Sequence, residues 1–360
     1  MFIVNKKGLK NLNNILCAAS FDREILVWGA SYKADEIVKQ LSEWGVSIHG
    51  YIDRNESIRS FRGKKVFGAD ILKEKKWYVY VALMDQYQEV TDALKKYGYE
   101  EFDDYWYPGR LVELDGTGNY EDLYGNCLKT KNETPVTVRL RQGGTIIINS
   151  KTLEPSLKIV SVGDSRVFLD KGVRVGRDVV CSSTNGSITI EENVQLESNI
   201  VLRASAGGSI HLGKGTTIQR HGALVCSFHA KVVFGEDCML SYYVSVRAGN
   251  SHNMIDLKTG VHFDDNDNRN VILGKHVWIG MGTTLLNGVR IGSGSMVGAN
   301  SFVCKKTFGS NCCVAGNPAK IMREKIAWMR EGVFMIKDVE PYRDFIYEAQ
   351  EFDEDTGEMT

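Results

Sequence analysis

The pattern of apolar and polar positions changes once along this chain. From Glu24 to about Tyr107, short apolar runs alternate with amphipathic stretches, the signature of a parallel sheet with crossover helices. Ile25 to Trp28 predicts a buried strand, Gly29 to Ser31 a turn, and Lys33 to Trp44 a helix with Ile37, Val38, Leu41 and Trp44 on one face. Gly45 ends that helix. Val46 to Ile52 predicts a second strand closing on Asp53, Val79 to Leu83 a third, and Gln86 to Lys96 a helix terminated by Gly98. The Gly29 turn and Asp53, 24 residues later, stand where a dinucleotide-binding fold holds a phosphate and a ribose hydroxyl. Only the first glycine of G-x-G-x-x-G is present, with Ser31 and Ala34 in the other two places. The turn therefore reads either as structural or as a nucleotide or nucleotide-sugar site.

After Tyr107 the helical period disappears, and from about Ile147 an apolar residue recurs every six. The series runs Ile147, Leu153, Ile159; Leu169, Val175, Cys181; Ile190, Leu196, Leu202; Leu212, Ile218, Leu224; Phe234, Leu240, Val246. It resumes as Leu273, Ile279, Leu285, Ile291, Val297 and Val303, with Gly274, Gly280, Gly292 and Gly298 directly after four of them. Three six-residue units per coil, each turning one apolar side chain inward, predict a triangular parallel β-helix. Successive coils start 22, 21, 22, 22, 39 and 18 residues apart. The 39-residue step carries a loop from roughly Gly249 to Asn270, and unstructured loops of that length are usually functional.

Composition narrows the class without naming it. The chain has 360 residues, 43% hydrophobic and 25% charged, enough for two domains with their own cores. No apolar run approaches the roughly 18 residues of a membrane span, and the first residues lack the order of a signal peptide, so a cytoplasmic chain is expected. Eight cysteines without a C-x-x-C pair suit reduced thiols better than a disulfide or zinc framework. The net charge is -1, but Glu340 to Thr360 holds eight acids against Arg343 alone, an acidic tail that leaves the rest of the chain about six charges positive. That surplus suits an anionic small molecule and is too small to argue for nucleic acid.

Four motifs in order carry a resemblance: S-H-N-M-I-D (Ser251 to Asp256), V-I-L-G-K-H-V-W-I-G (Val271 to Gly280), I-G-S-G-S-M-V-G-A-N-S (Ile291 to Ser301) and A-G-N-P-A-K (Ala315 to Lys320). This stretch resembles the hexapeptide-repeat, left-handed β-helix acyltransferases, and among them the sugar O-acetyltransferases of bacterial surface and capsular polysaccharides. The first half is loosely similar to the Rossmann-like α/β domains fused to nucleotide-sugar-modifying members. The organisation expected is an α/β domain over 1–112, a linker over 113–134, a left-handed β-helix acyltransferase domain over 135–318, and a C-terminal helix (Ala319 to Arg330) and acidic tail over 319–360.

The resemblance implies a trimer with acetyl-CoA as co-substrate, a glycan or sugar precursor as acceptor, and no metal. It places His252, in phase with the period, as general base, Asp256 as a candidate to orient its imidazole, and Trp278 near the thioester. His276, in the same motif as Trp278, points the same way or is structural. For coenzyme A it implies Gly280, Gly282, Ala299 and Ser301 along the pantetheine, Lys305 and Lys306 at the phosphates, and Asn317 to Lys320 in the loop after the last coil. Three alternatives remain: N-acetylation of a nucleotide-linked amino sugar, a β-helix that only oligomerises, and a zinc site. The last needs histidines converging in close spacing, and no H-x-x-x-x-H occurs.

Overall fold

The computed structural model describes residues 23–250, 255–261, 269–330 and 340–347, apart from 44, 45, 56, 75, 84–86, 102, 108, 110 and 123. The chain divides into two compact units: Met1–Val112 with Glu121–Cys127 and Leu140–Gly143, and the remainder.

The first unit is an open α/β sheet. Strand β1 (Glu24–Trp28) lies at its centre because four consecutive apolar side chains need cover on both faces. The other strands are β2 (Ile48–Ile52), β3 (Ser60–Phe61), β4 (Lys64–Phe67), β5 (Trp77–Val81) and β6 (Tyr105–Trp106), in the order β3-β4-β2-β1-β5-β6. Every neighbouring pair is parallel except the β3–β4 hairpin. Helices Ala34–Glu43 and Tyr87–Lys96 follow β1 and β5. Leu41, Val90 and Leu94 join the sheet's Tyr51, Trp77 and Tyr80 in one core. The chain adds β2 and β4 on one side of β1 and then returns to add β5 on the other. The Gly29 turn thus stands at the topological switch point.

The second unit is a parallel β-helix with three faces, each a sheet of stacked strands. The first face runs from Val112–Leu114 through Lys158–Val162, Val201–Ser205, Ser245–Ala248 and Thr284–Leu285 to Phe302–Val303. The second runs from Tyr120–Glu121 through Leu169's strand, Arg166–Leu169, and Val271–Leu273 to Thr307–Phe308. The third begins at Arg174–Val175 and includes Trp278–Ile279, Met296–Val297 and Cys312–Gly316. Leu169, Ile190, Leu212, Phe234, Leu273 and Ile291 stack in register on the second face and are all buried. The hexapeptide reading is therefore correct over these coils.

Three expectations need correction. Ile148, not Ile147, is the inward partner of Leu169, and Ile147 points outward beside it. From Ile148 to Ile159 is eleven residues, one fewer than the twelve from Leu169 to Cys181 or Ile190 to Leu202, and in a strand a one-residue shift exchanges the two faces. The stretch expected as a linker over 113–134 instead supplies strands to the first and second faces, including Val112–Leu114 and Cys127–Thr130. Its outward positions are polar, which disguises them as loop. Finally, the helix expected from Ala319 is a strand, Ala319–Glu324, antiparallel to Cys312–Gly316. The open edge of the last strand offers these residues backbone partners, and that tertiary demand overrides their helical propensity.

Candidate functional site

Because each coil visits the first, second and third faces in turn, every inter-strand segment falls at one of three corners. The Gly249–Asn270 loop leaves the first face after Ser245–Ala248 and rejoins the second at Val271–Leu273. His252 lies outside the described residues, but both stems of its loop are held tightly. Asn287, at the same corner one coil later and buried, accepts the Gly249 N–H at 2.8 Å and donates from Nδ2 to Asn250 Oδ1 at 2.9 Å. Asn270 closes the other stem: its side-chain oxygen accepts the Lys231 N–H at 2.8 Å and its carbonyl accepts the Gly288 N–H at 3.0 Å. Asn287 was missed by sequence reasoning, since an asparagine at a corner reads as a generic turn residue.

Asp256 has a local task. Its Oδ1 accepts the backbone N–H groups of Lys258 at 2.8 Å and Thr259 at 3.0 Å, an Asx turn that ties up the loop tip. The Thr259 bond, then the Lys258 bond, hold its carboxyl below the usual carboxylate range. Ile255, Leu257 and Val261 surround it as exposed apolar side chains. Lys305 and Lys306, both exposed, occupy the same corner two coils beyond the loop, and the Lys305 N–H donates to the Asn287 carbonyl at 2.9 Å.

The small residues assigned to coenzyme A gather at the other margin of the first face, the third–first corner. Here the coils themselves explain the glycines. A Cβ on Gly280 would sit 2.6 Å from Ala299 N, and one on Gly282, at φ +70°, would collide with Asn300 Oδ1. Close approach of the next coil already demands glycine at both positions. Ser301 is buried, donating to the Gly298 carbonyl at 2.7 Å and accepting the Gly316 N–H at 3.1 Å. Its hydroxyl holds the corner. Ala299 and Asn317 are exposed there, and Lys320 lies exposed on the returning strand.

Trp278 and His276 belong to a third cluster. Trp278 turns outward on the third face, as its place before Ile279 predicts, but it is half-buried: its Nε1 donates to Ser241 Oγ at 3.2 Å and its ring packs on Trp328 at 5.8 Å. Its ring is thus packed by the chain's own Trp328. His276 is fully buried. Its ring stacks on Trp328 at 3.9 Å and on Phe345 at 4.5 Å, Nδ1 meets Asp237 Oδ2 at 2.5 Å, and Nε2 meets the Trp328 carbonyl at 2.9 Å. Arg330 completes the cluster, donating from Nε to Asp237 Oδ1 and from its Nη atoms to Thr217 Oγ1 and the carbonyls of Asp237 and Cys238. Burial opposes the charge on Asp237, but the His276 hydrogen bond and the Arg330 charge outweigh it and lower its pKa. The structural reading of His276 is correct: it anchors the segment after the hairpin.

Among the described residues, the expected site residues thus fall on two margins of the first face. The His252 loop and both lysines bound the first face on one side, and Gly280, Gly282, Ala299, Ser301 and Asn317 bound it on the other. Between them, Thr284, Leu286, Phe302 and Cys304 are half-buried and uncharged. Burial pushes the core thiols of Cys181, Cys226 and Cys238 up to about 12, so none of these is a nucleophile near neutral pH. Among the described residues no three His, Cys, Asp or Glu side chains group as metal ligands, and no helix is long and apolar enough to cross a membrane. In the first unit, Asp53 accepts the Ala30 N–H on Oδ2 and the Asn55 N–H on Oδ1, both at 2.9 Å. It braces the Gly29 turn.

Comparison with known proteins agrees with the repeat. Residues 270–305 match the family described as bacterial transferase hexapeptide (six repeats). Over 143 residues the chain is 34% identical to a polysialic acid O-acetyltransferase of Escherichia coli O1:K1 / APEC, covering 40% of this chain and 45% of that protein. It therefore spans less than half of that relative's length. It is also 28% identical over 189 residues to a polysialic acid O-acetyltransferase of Neisseria meningitidis, covering 52% of this chain and 86% of the relative. The solved structure of the polysialic acid O-acetyltransferase OatWY aligns with 24% identity and a TM-score of 0.47, over 61% of this chain and 98% of that one. The six-residue repeat and the three-faced β-helix of this chain are thus of the kind that residues 270–305 share with the bacterial transferase hexapeptide family.

Proposed function

We propose that the chain is an acetyl-CoA-dependent O-acetyltransferase that acts on a hydroxyl of a bacterial surface polysaccharide or its sugar precursor. The observation that carries this reading is the first face and its margins. The loop containing His252 is clamped by Asn287 on one side, the tightly stacked corner of Gly280 and Gly282 lies on the other, and an uncharged strip of Thr284, Leu286 and Phe302 runs between. That strip suits the pantetheine arm, with Ala299 beside it and Lys305, Lys306, Asn317 and Lys320 available to the nucleotide phosphates.

In this reading His252 is the catalytic base. It takes the proton of the acceptor hydroxyl as that oxygen attacks the thioester carbonyl carbon; the carbon–oxygen bond forms, the carbon–sulfur bond breaks, and the proton passes to the departing thiolate. General-base help of this kind is worth about 10² to 10⁴-fold. Asp256 acts by shaping the loop through its Asx turn, and Trp278 by bracing the third face. Since the two margins lie on opposite sides of one face, a complete site needs a neighbouring chain, and a homotrimer with its sites between prisms meets that need. The polysialic acid relatives favour transfer to oxygen, and the engagement of Asp53 within its own turn weighs against a nucleotide-sugar site in the first unit.

Calorimetric titration of acetyl-CoA into the full chain tests the reading. Micromolar binding at one site per chain is expected, and no heat up to millimolar acetyl-CoA would overturn it.

A further inference from the structure

Above the loop, the first face changes character. The outward positions that pair across successive strands are Ser182, Arg203, Val225 and Arg247 in one column, and Lys158, Val180, Val201, Ala223 and Ser245 in the next. Arg203 and Arg247 are exposed and stand two strands apart, roughly 9.5 Å from the usual strand spacing; Lys158 lies exposed four strands from Arg247's level. Among the described residues, neither guanidinium has an ion-pair or hydrogen-bond partner, and no carboxylate occupies an outward position on this face from Lys158 to Phe302. The carboxylates of these coils sit at the corners, where Glu197 pairs with Arg220 and Glu191 with His211.

Exposed rings stand on both margins of the same stretch. At the third–first corner His221 stacks on Tyr243 at 4.8 Å and 4°, with Tyr242 beside them, and Tyr243 is 59% exposed. At the first–second corner Phe228 is exposed. Rings of this kind pack against the C–H faces of sugars, and an arginine fork recognises carboxylates. The run of positive charge extends over four strand intervals, about 19 Å, longer than a single sugar.

We infer that this face, from Lys158 to Arg247 between Phe228 and the His221–Tyr243 pair, is the track for a polymeric, carboxylate-bearing glycan acceptor. The inference rests on the O-acetyltransferase reading and extends it by naming the acceptor's chemistry. The chain of sugars lies along the prism axis, its carboxylates on Arg203 and Arg247. Arg247 is three residues before Asn250, the clamped stem of the loop, so the track runs toward the strip assigned to coenzyme A.

The test measures binding of three soluble polymers, polysialic acid, polygalacturonate and neutral dextran, and of a 20-nucleotide single-stranded DNA, to the full chain and to its Arg203→Gln/Arg247→Gln variant. Acetyl-CoA binding is measured in parallel. The wild-type chain is expected to bind both anionic glycans and not dextran, with affinity falling at least tenfold between low and high salt as exposed charges are screened. The variant is expected to bind them at least tenfold more weakly with unchanged acetyl-CoA affinity and thermal stability. Equal glycan binding by both proteins, equal binding of dextran, or DNA binding as tight as that of the glycans overturns the proposal. Arginine-dependent glycan binding without any acetyl-CoA binding would uphold the track and overturn the transferase reading instead.

Discussion

Two side chains show how single residues set the site's surroundings. Asn287 is buried and satisfies the Gly249 N–H and the Asn250 side chain together. Asn287→Ala leaves that N–H buried without a partner, a loss of about 1–3 kcal/mol, and releases the stem of the loop two residues before His252. Turnover should fall at least tenfold while acetyl-CoA affinity changes less than twofold; steady-state kinetics and calorimetry together check this. Asp237 makes a pH prediction. Its folded pKa is held below the unfolded value of about 3.9 by His276 and Arg330. The stability it contributes is therefore present above about pH 4 and lost as pH falls through the lower folded pKa. Asp237→Asn should lower thermal stability at neutral pH and shallow its decline below pH 4, read from melting curves between pH 7 and 3. None of this cluster was readable beforehand. It joins residues 237, 276, 328, 330 and 345, which no local pattern connects.

At the scale of elements, the six-residue period was readable because each strand turns a large apolar side chain into a narrow prism at a repeating height, a demand that no polar residue meets. It blurred only where a coil is one residue short, as after Ile148, or where outward polar side chains conceal a strand, as over 113–134. The C-terminal strand was misread because Ala319 to Arg330 suits a helix locally, and only the open edge of Cys312–Gly316 decides otherwise. The corner glycines carry a testable distinction. Gly280→Ala forces a backbone clash with Ala299, whereas a Cβ on Gly309 would meet nothing within 4 Å. The first substitution should cost about 1–3 kcal/mol, a fall of several degrees in Tm, and the second should stay within a degree. Equal losses at both positions would mean that coil stacking does not require Gly280.

For the whole molecule, the proposed site draws on residues at two margins of one face, and the proposal therefore includes assembly. The chain should sediment as a trimer, and mixing an inactive His252 variant with an inactive variant at the opposite margin should restore part of the turnover if each site draws on two chains. A fully active monomer would contradict that arrangement. The class of both units was readable from apolar periodicity, although the 113–134 strands and the C-terminal strand were not, and the margins on which Gly280, Ala299 and Lys305 fall were not either, because a repeat that places residues in phase does not say at which corner they lie. The most direct test of the account is single-turnover acetyl transfer from acetyl-CoA to an anionic capsular glycan by the wild-type chain and by His252→Ala. A rate at least two orders of magnitude lower is expected in the variant, with acetyl-CoA binding intact. An unchanged rate would contradict it, since no other described group has been assigned the proton.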